Sequence, residues 1–230
     1  ERIPALRPRN TAYDGQFGIP TLAEIVALVN EAEARQGRRV GIYPETKHPT
    51  YFSHEGRRLD GGAIGIDLSA RLVAELRALA FTAPDRVFIQ SFETGNLREL
   101  AHTLLPAAGL SIPLVQLLDA SGAPRDLLLA GDPRDYPSLA KPAGLRFIAG
   151  YAQGVGVAKS MVMGAPGRGP TRLVAHAHAA GLEVHAWTFR PENHFLPAGD
   201  RVGSDAADPG RLADELARHF RAGVDGVFID

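Results

Sequence analysis

Two hundred and thirty residues, 45% hydrophobic and 22% charged, suit one large globular domain and exclude a disordered, coiled-coil or fibrous chain. A net charge of -1, from 25 basic and 26 acidic residues, gives no broad electrostatic pull toward nucleic acid or an anionic membrane. No apolar run approaches the ~20 residues of a membrane-spanning helix, and the lack of Cys removes disulfides, thiolate metal sites and Cys nucleophiles.

The chain opens on Glu1 with no basic-plus-apolar leader, so any targeting peptide is expected to have been removed or to lie outside this sequence. Residues 1 to 19 are rich in Arg, Pro and Gly and read as the tail of a long loop. In Pro20-Thr21-Leu22-Ala23-Glu24, Thr21 and Glu24 have the spacing of a reciprocal capping box. Leu22, Ile25, Val26 and Val29 then form one apolar helical stripe, and Gly37 supplies a left-handed stop.

A strand follows over Val40 to Glu45. The same alternation predicts a helix from Ser69 to Ala80 before a strand at Arg86 to Phe92, and a helix from Asn96 to Leu105 before a strand at Leu114 to Leu118. Further helices, around Leu139 to Ala149, Thr171 to Ala180 and Arg211 to Ala222, precede strands at Gly154 to Lys159, Glu183 to Phe189 and Val224 to Asp230. Helices alternating with short apolar strands indicate an α/β fold with a parallel, helix-covered sheet. Glu45, Lys47, Gln90, Gln116, Lys159, Trp187 and Asp230 sit at or near strand ends, where a TIM (β/α)8 barrel opens its active site. Six of the eight strands are visible, with the first two apparently missing, so the expectation is a single, N-terminally incomplete barrel domain over residues 1–230.

Residues two apart in a strand share a face, so Tyr43, Glu45 and Lys47 point one way and Val40, Ile42 and Pro44 the other. The apolar set should meet the helices. That leaves a carboxylate and an ammonium at the mouth, suited either to a divalent cation and a phosphate oxygen or to an internal salt bridge.

The segment Gly41-Ile42-Tyr43-Pro44-Glu45-Thr46-Lys47-His48-Pro49 resembles the GIYPEIKxP signature of the glycerophosphodiester phosphodiesterases. Pro20 to Ile25 resembles that family's PTLxEx helix start. Val87 to Phe92, Leu114 to Leu117, Gly154 to Gly156, Val184 to Arg190 and Gly223 to Asp230 continue the likeness in order. The longer loops and the Val184-His185-Ala186-Trp187-Thr188-Phe189-Arg190 strand are similar to the secreted or periplasmic, calcium-using branch.

The resemblance implies a TIM barrel that hydrolyses glycerophosphodiesters, such as glycerophosphocholine, to glycerol 3-phosphate and an alcohol. It implies Glu45 as a ligand of a divalent metal, Ca²⁺ with Mg²⁺ as the alternative, and Lys47 as the residue that contacts or balances the phosphate. Gln90, Gln116, Trp187 and Phe228 would line the substrate pocket, or else serve as barrel-layer packing. The family's H-R-G segment, E-x-D pair and H-D segment find no counterpart in this sequence, and His185, on the same strand face as Trp187, is the first candidate for proton transfer.

Other His and Gly positions carry less. His176 and His178 are two apart on a helix and point about 200° apart, so they cannot grip one ion. Pro191-Glu192-Asn193-His194 follows the Trp187 strand and belongs to a loop rather than to catalysis. His48 and His54 read as bystanders, and Gly164, Gly167 and Gly169 form no Walker pattern. The partner expected is a small glycerophosphodiester, with no nucleic acid and no membrane span. The alternative function is a barrel-derived phosphodiester-binding protein without catalysis; a different metal-dependent barrel hydrolase is disfavoured by the lack of a strand-end His cluster.

Overall fold

The Thr21 hydroxyl accepts from the Glu24 amide at 3.3 Å while the Glu24 carboxylate accepts from the Thr21 amide at 2.7 Å. This satisfies two donors at the helix start that otherwise lack partners. Helix Leu22–Gln36 follows and stops at Gly37, whose φ of 62° needs the freedom of a residue without Cβ. The structure is a computed structural model that describes residues 13–164 and 168–230. The first twelve residues of the expected N-terminal loop, and Gly167, lie outside the described residues.

Among the described residues five strands pair in sequence order, all parallel: β1 (Ile89–Ser91), β2 (Leu114–Leu118), β3 (Gly154–Ala158), β4 (Glu183–Phe189) and β5 (Gly226–Ile229). Every position of β1, β2 and β3 is buried, as expected for parallel strands covered on both faces. Val155, Val157, Leu114 and Leu118 join Leu76, Leu97, Leu100 and Ile148 in the apolar layer between sheet and helices. Burying such side chains is worth roughly 1.5–3 kcal/mol each, so this layer dominates the stability.

The first of the six expected strands, Val40 to Glu45, does not form a continuous ladder. It meets β1 and the residues before it through two isolated parallel bridges, Ile42 with Val87 and Glu45 with Gln90. Ile42 donates to the Arg86 carbonyl at 2.7 Å, Gln90 donates to the Pro44 carbonyl at 3.0 Å, and Thr46 donates to the Gln90 carbonyl at 3.0 Å. Pro44 interrupts the run because it has no N–H to give. Gly41 lets the segment approach: a Cβ there would lie 2.5 Å from the Arg86 carbonyl oxygen.

Proline also redraws two helices. The expected helix Asn96 to Leu105 begins earlier, at Thr94–Glu99, passes through a π turn at Leu100–Leu104 and ends as Leu105–Ala107, with Pro106 inside its last piece. The expected helix Leu139 to Ala149 is two, Tyr136–Leu139 and Pro142–Ile148, the second opening on a proline whose fixed φ suits a first helical position. Helices Leu68–Ala78, Leu173–Ala179 and Leu212–Arg221 stand where the periodicity predicts them, within two residues at each end.

The sheet curls. The Tyr43 ring, from the bridged segment at one edge, lies 4.9 Å from the Phe228 ring on β5 at the other edge, and 5.1 Å from Phe88. Such curvature in an all-parallel, helix-covered sheet is that of an opened barrel, with Tyr43, Phe88, His185 and Phe228 on its concave side.

Candidate active site

The strand-end carboxylate and lysine expected from the sequence open onto one cleft of about 540 Å³, which Glu45, Lys47, His48, Phe92, Glu93 and Arg125 help to line. Glu45 is half-buried and Lys47 exposed. One Glu45 oxygen, Oε1, is buried and has no hydrogen-bond partner, and neither has Oε1 of Gln90, the residue bridged to it. A buried acceptor left unpaired costs about 1–3 kcal/mol, so two on one bridge make this the candidate site for a donor or cation.

Around this pair the polar groups are fixed. Thr46 faces away from Glu45 and accepts from the Asn96 side chain at 2.7 Å, while Ser91 donates to the Thr46 carbonyl at 3.2 Å. Arg125 reaches the cleft rim but is held by both oxygens of Glu55, which keeps that carboxyl below its ordinary range. Lys47 is the cleft's cation without such a carboxylate clamp among the interactions described.

The Trp187 ring stands edge-on to Phe92 at 5.8 Å, so it borders the cleft through Phe92, and its indole Nε1–H is buried without an acceptor. Phe228 packs on Tyr43 rather than beside Glu45. Gln116 is fully buried and fully used: its Nε2 donates to the carbonyls of Ser91, Phe92 and Leu117 at 3.1–3.2 Å, and its Oε1 accepts from the Tyr151 hydroxyl at 2.8 Å. With every polar atom of the amide engaged, Gln116 presents nothing to a ligand, which corrects its expected place in the pocket wall.

His185, the candidate for proton transfer, lies away from the mouth. Its Nδ1 is 2.8 Å from the Tyr43 hydroxyl, its Nε2 is 3.5 Å from Glu183, and its ring packs on Gly226, where a Cβ would come within 2.8 Å. Burial holds its pKa below the ordinary His value, with Glu183 and Asp225 opposing more weakly. Glu183 begins β4 and Asp225 immediately precedes β5, so His185 belongs to the strand-start end of the curl, opposite the mouth. The Tyr43 hydroxyl is held above its ordinary range, chiefly by burial.

The remaining candidates have structural partners. Lys159 is clamped by Glu215 at 2.9 Å and donates to the Phe195 carbonyl at 3.0 Å. His178 pairs with Asp225 at 2.8 Å, and Asn193 pins its loop by donating to the carbonyls of Val202 and Asp205 at 2.7 and 2.8 Å. Sequence reasoning passed over Glu93 and Asp126. Glu93 stands two residues beyond the end of β1, near enough for the strand-end rule that singled out Glu45 and Lys47 to reach it; Asp126 lies on a helix with no such signal.

Among the described residues no group of three or more His, Asp or Glu is placed to hold a metal ion. Glu45 and Gln90 therefore offer two oxygens, of the hard type Ca²⁺ and Mg²⁺ prefer, but not a full shell. No helix among the described residues is long and apolar enough to cross a membrane.

Comparison with known proteins points the same way. The chain is 26% identical over 230 residues to a glycerophosphodiester phosphodiesterase of Haemophilus influenzae, covering 95% of this chain and 57% of that protein. It is 28% identical to one of Arabidopsis thaliana, covering 96% of this chain and 56% of the relative. The chain thus spans little more than half the length of these curated relatives. A crystal structure of a Silicibacter pomeroyi DSS-3 protein assigned to the glycerophosphoryl diester phosphodiesterases superposes with a TM-score of 0.54 at 20% identity, covering 91% of this chain and 52% of that one. That likeness establishes the fold. The model of the glycerophosphoryl diester phosphodiesterase family matches residues 2–230, and the chain belongs to that family.

Proposed function

We propose that the Glu45 mouth takes part in the hydrolysis of glycerophosphodiesters, such as glycerophosphocholine, to glycerol 3-phosphate and an alcohol. The observation that carries the reading is the pair of buried, partnerless oxygens on Glu45 and Gln90 beside the unclamped ammonium of Lys47. A phosphodiester brings negative charge on two non-bridging oxygens, and an aqueous cleft with one lysine neutralises it poorly.

A divalent cation, Ca²⁺ or alternatively Mg²⁺, fits the two oxygens, with its other ligands coming from outside the described residues or from water. When bound, it supplies Lewis-acid stabilisation of the charge that develops on the phosphoryl group. Lys47 balances a second phosphate oxygen, and Phe92 backed by Trp187 walls the cleft, excluding water from the apolar side of the glycerol. In the overall reaction the bond from phosphorus to the alcohol oxygen breaks, a water oxygen bonds to phosphorus, and one water proton ends on the alcohol. Both nitrogens of His185 are engaged away from the mouth, so the proton transfer is not assigned to it. The resemblance of the Val184 to Arg190 strand to the calcium-using branch supports a periplasmic or secreted setting.

A second reading, phosphodiester binding without hydrolysis, is favoured by the lack of a three-residue metal-holding group among the described residues. The two separate on one assay: release of glycerol 3-phosphate from glycerophosphocholine by this chain in calcium and then in EDTA, with Glu45→Ala in parallel. Cation-dependent release lost in the variant upholds hydrolysis. Cation-dependent substrate binding with no release supports the binding protein, and neither binding nor release overturns both.

A further inference from the structure

The loop that follows Lys47 and the helix that follows β2 both wall the Glu45 cleft, and an ion pair joins them: Glu55, which ends the turn Tyr51–Glu55, with Arg125, which opens helix Arg125–Leu129. Arg125 Nε donates to Glu55 Oε2 at 3.2 Å, and its Nη2 donates to Glu55 Oε1. Both side chains line the cleft together with Lys47, and both stay open to solvent, Arg125 by 50% and Glu55 by 30%.

The two backbones are anchored and the two charged ends are not. Asp126, next to Arg125, accepts from the Thr94 and Gly95 amides at 3.0 and 2.6 Å, and Leu127 is buried, so the helix is tied to the chain just beyond β1. Gly56, next to Glu55, is buried and donates to the Tyr51 carbonyl at 2.7 Å, while the Glu93 carboxylate holds the Thr50 amide at 3.2 Å. With these anchors in place the guanidinium can swing without disturbing the fold. An ion pair this exposed is held weakly, because water competes for both charges. The Arg125 hydrogen bonds keep the Glu55 carboxyl below its ordinary range, so it is charged at neutral pH.

A cleft of about 540 Å³ suits one small ligand, so the exposed groups on its walls meet the same occupant. Its lining sets Lys47, His48 and Arg125 against the carboxylates of Glu45, Glu55, Glu93 and Asp119, a balance unfavourable to a phosphodiester anion while Glu55 occupies the Arg125 fork. A guanidinium matches two phosphate oxygens with parallel N–H donors, as it matches a carboxylate. We infer that Arg125 is a further phosphate-binding residue held in reserve by Glu55, and that a bound diester takes the guanidinium from that carboxylate. Glu55 is then an internal competitor that sets how tightly the anion is held. The inference rests on the phosphodiesterase reading of the cleft.

The test titrates glycerol 3-phosphate by calorimetry into the full chain in calcium, for the parent, Arg125→Gln, Arg125→Lys, Glu55→Gln and the Arg125→Gln, Glu55→Gln double variant, with thermal melts to check that each is folded. Where product binding is too weak to titrate, the same order is read in KM for glycerophosphocholine. Arg125→Gln is expected to weaken binding at least about tenfold, and Arg125→Lys, which keeps the charge and loses the fork, by about threefold or more. Glu55→Gln, which frees the guanidinium, is expected to tighten binding about two- to fivefold. In the double variant that gain should vanish, because Glu55 acts through Arg125. A structural clasp would make both single Gln variants weaker, and a long-range field would make their effects add and leave Arg125→Lys like the parent; each of these results overturns the inference. Parent-like binding by every Arg125 and Glu55 variant, with hydrolysis of glycerophosphocholine intact, removes the Arg125 role and leaves the phosphodiesterase reading standing. Arg125-dependent binding with no release of glycerol 3-phosphate keeps Arg125 as an anion-binding residue and ends the catalytic reading, and neither binding nor release by the folded parent overturns both.

Discussion

The two ends of the curled sheet are built from similar residue types and treat them oppositely. At the strand starts, Tyr43, His185 and Glu183 form a chain in which each polar group meets another, inside a cluster of Phe88 and Phe228 rings. At the strand ends, Glu45 and Gln90 are covered as well, yet each keeps an oxygen with no partner. Buried polar groups are normally satisfied in a folded protein, so the first end is finished by folding alone, and the proposed function places the ligand at the second. The His at the satisfied end is the one the sequence put forward for catalysis; the geometry gives it the work of orienting Tyr43.

That contrast breaks most visibly at Glu45. Replacing it with Ala is expected to lower turnover of a glycerophosphodiester by roughly a thousandfold, the few kcal/mol that charge stabilisation at a phosphoryl group supplies. Thermal stability should hold or rise, because removing a buried acceptor with no partner relieves its desolvation cost. A variant as active as the parent would remove the functional meaning of the orphaned pair.

Gly41→Ala should act through the fold instead. Its Cβ would meet the Arg86 backbone at 2.5 Å, which neither side can yield cheaply, so a loss of about 1–3 kcal/mol in denaturant unfolding is expected. Because Glu45 rides on the same segment, turnover should fall with it. Stability unchanged from the parent would mean that the edge segment is not seated as described.

Tyr43→Phe removes the hydroxyl that His185 meets at 2.8 Å and keeps the ring stack; it should cost about 1 kcal/mol of stability and leave the rate nearly unaltered. A large rate loss with intact stability would return His185 to the chemistry.

The smallest effect is one of pH. His185 has a folded pKa below the ordinary 6.5, so between the two values the unfolded chain holds a proton that the folded chain refuses. Stability contributed by neutral His185 is therefore present above pH 6.5 and is lost as pH falls through and below it. The melting temperature of the parent should drop more steeply between pH 7 and 5.5 than that of His185→Gln, by a few degrees. Parallel curves would contradict the burial argument. Glu93 works in the opposite sense, its raised pKa relieving the fold on acidification, but it is common to both proteins and cancels in the comparison.

Much of this was legible before any coordinates. Capping at Thr21 and the Gly37 stop depend on neighbours within four residues, and strands such as Leu114–Leu118 announce themselves by apolar runs. The edge segment was legible as a strand but not as a broken one, because whether Pro44 interrupts a ladder depends on a partner far along the chain. Glu45 and Lys47 were found by strand alternation, which is local. For Gln116 and His185 alternation gives the side chain's face, and cannot tell whether Tyr151 or Tyr43, from other elements, has already taken its polar atoms. Asp126 was invisible because its meaning lies in capping Thr94 and Gly95, thirty-odd residues away.

The central claim is that the unsatisfied mouth, and not the satisfied base, holds the phosphate. The most direct test titrates glycerol 3-phosphate into the chain with and without calcium, for the parent, Glu45→Gln, Lys47→Met and Tyr43→Phe. Saturable binding that requires the cation, that weakens at least about tenfold in the two mouth variants and that survives in Tyr43→Phe is the expected result. Binding that ignores Glu45 and Lys47, or that is lost with Tyr43, would contradict the account.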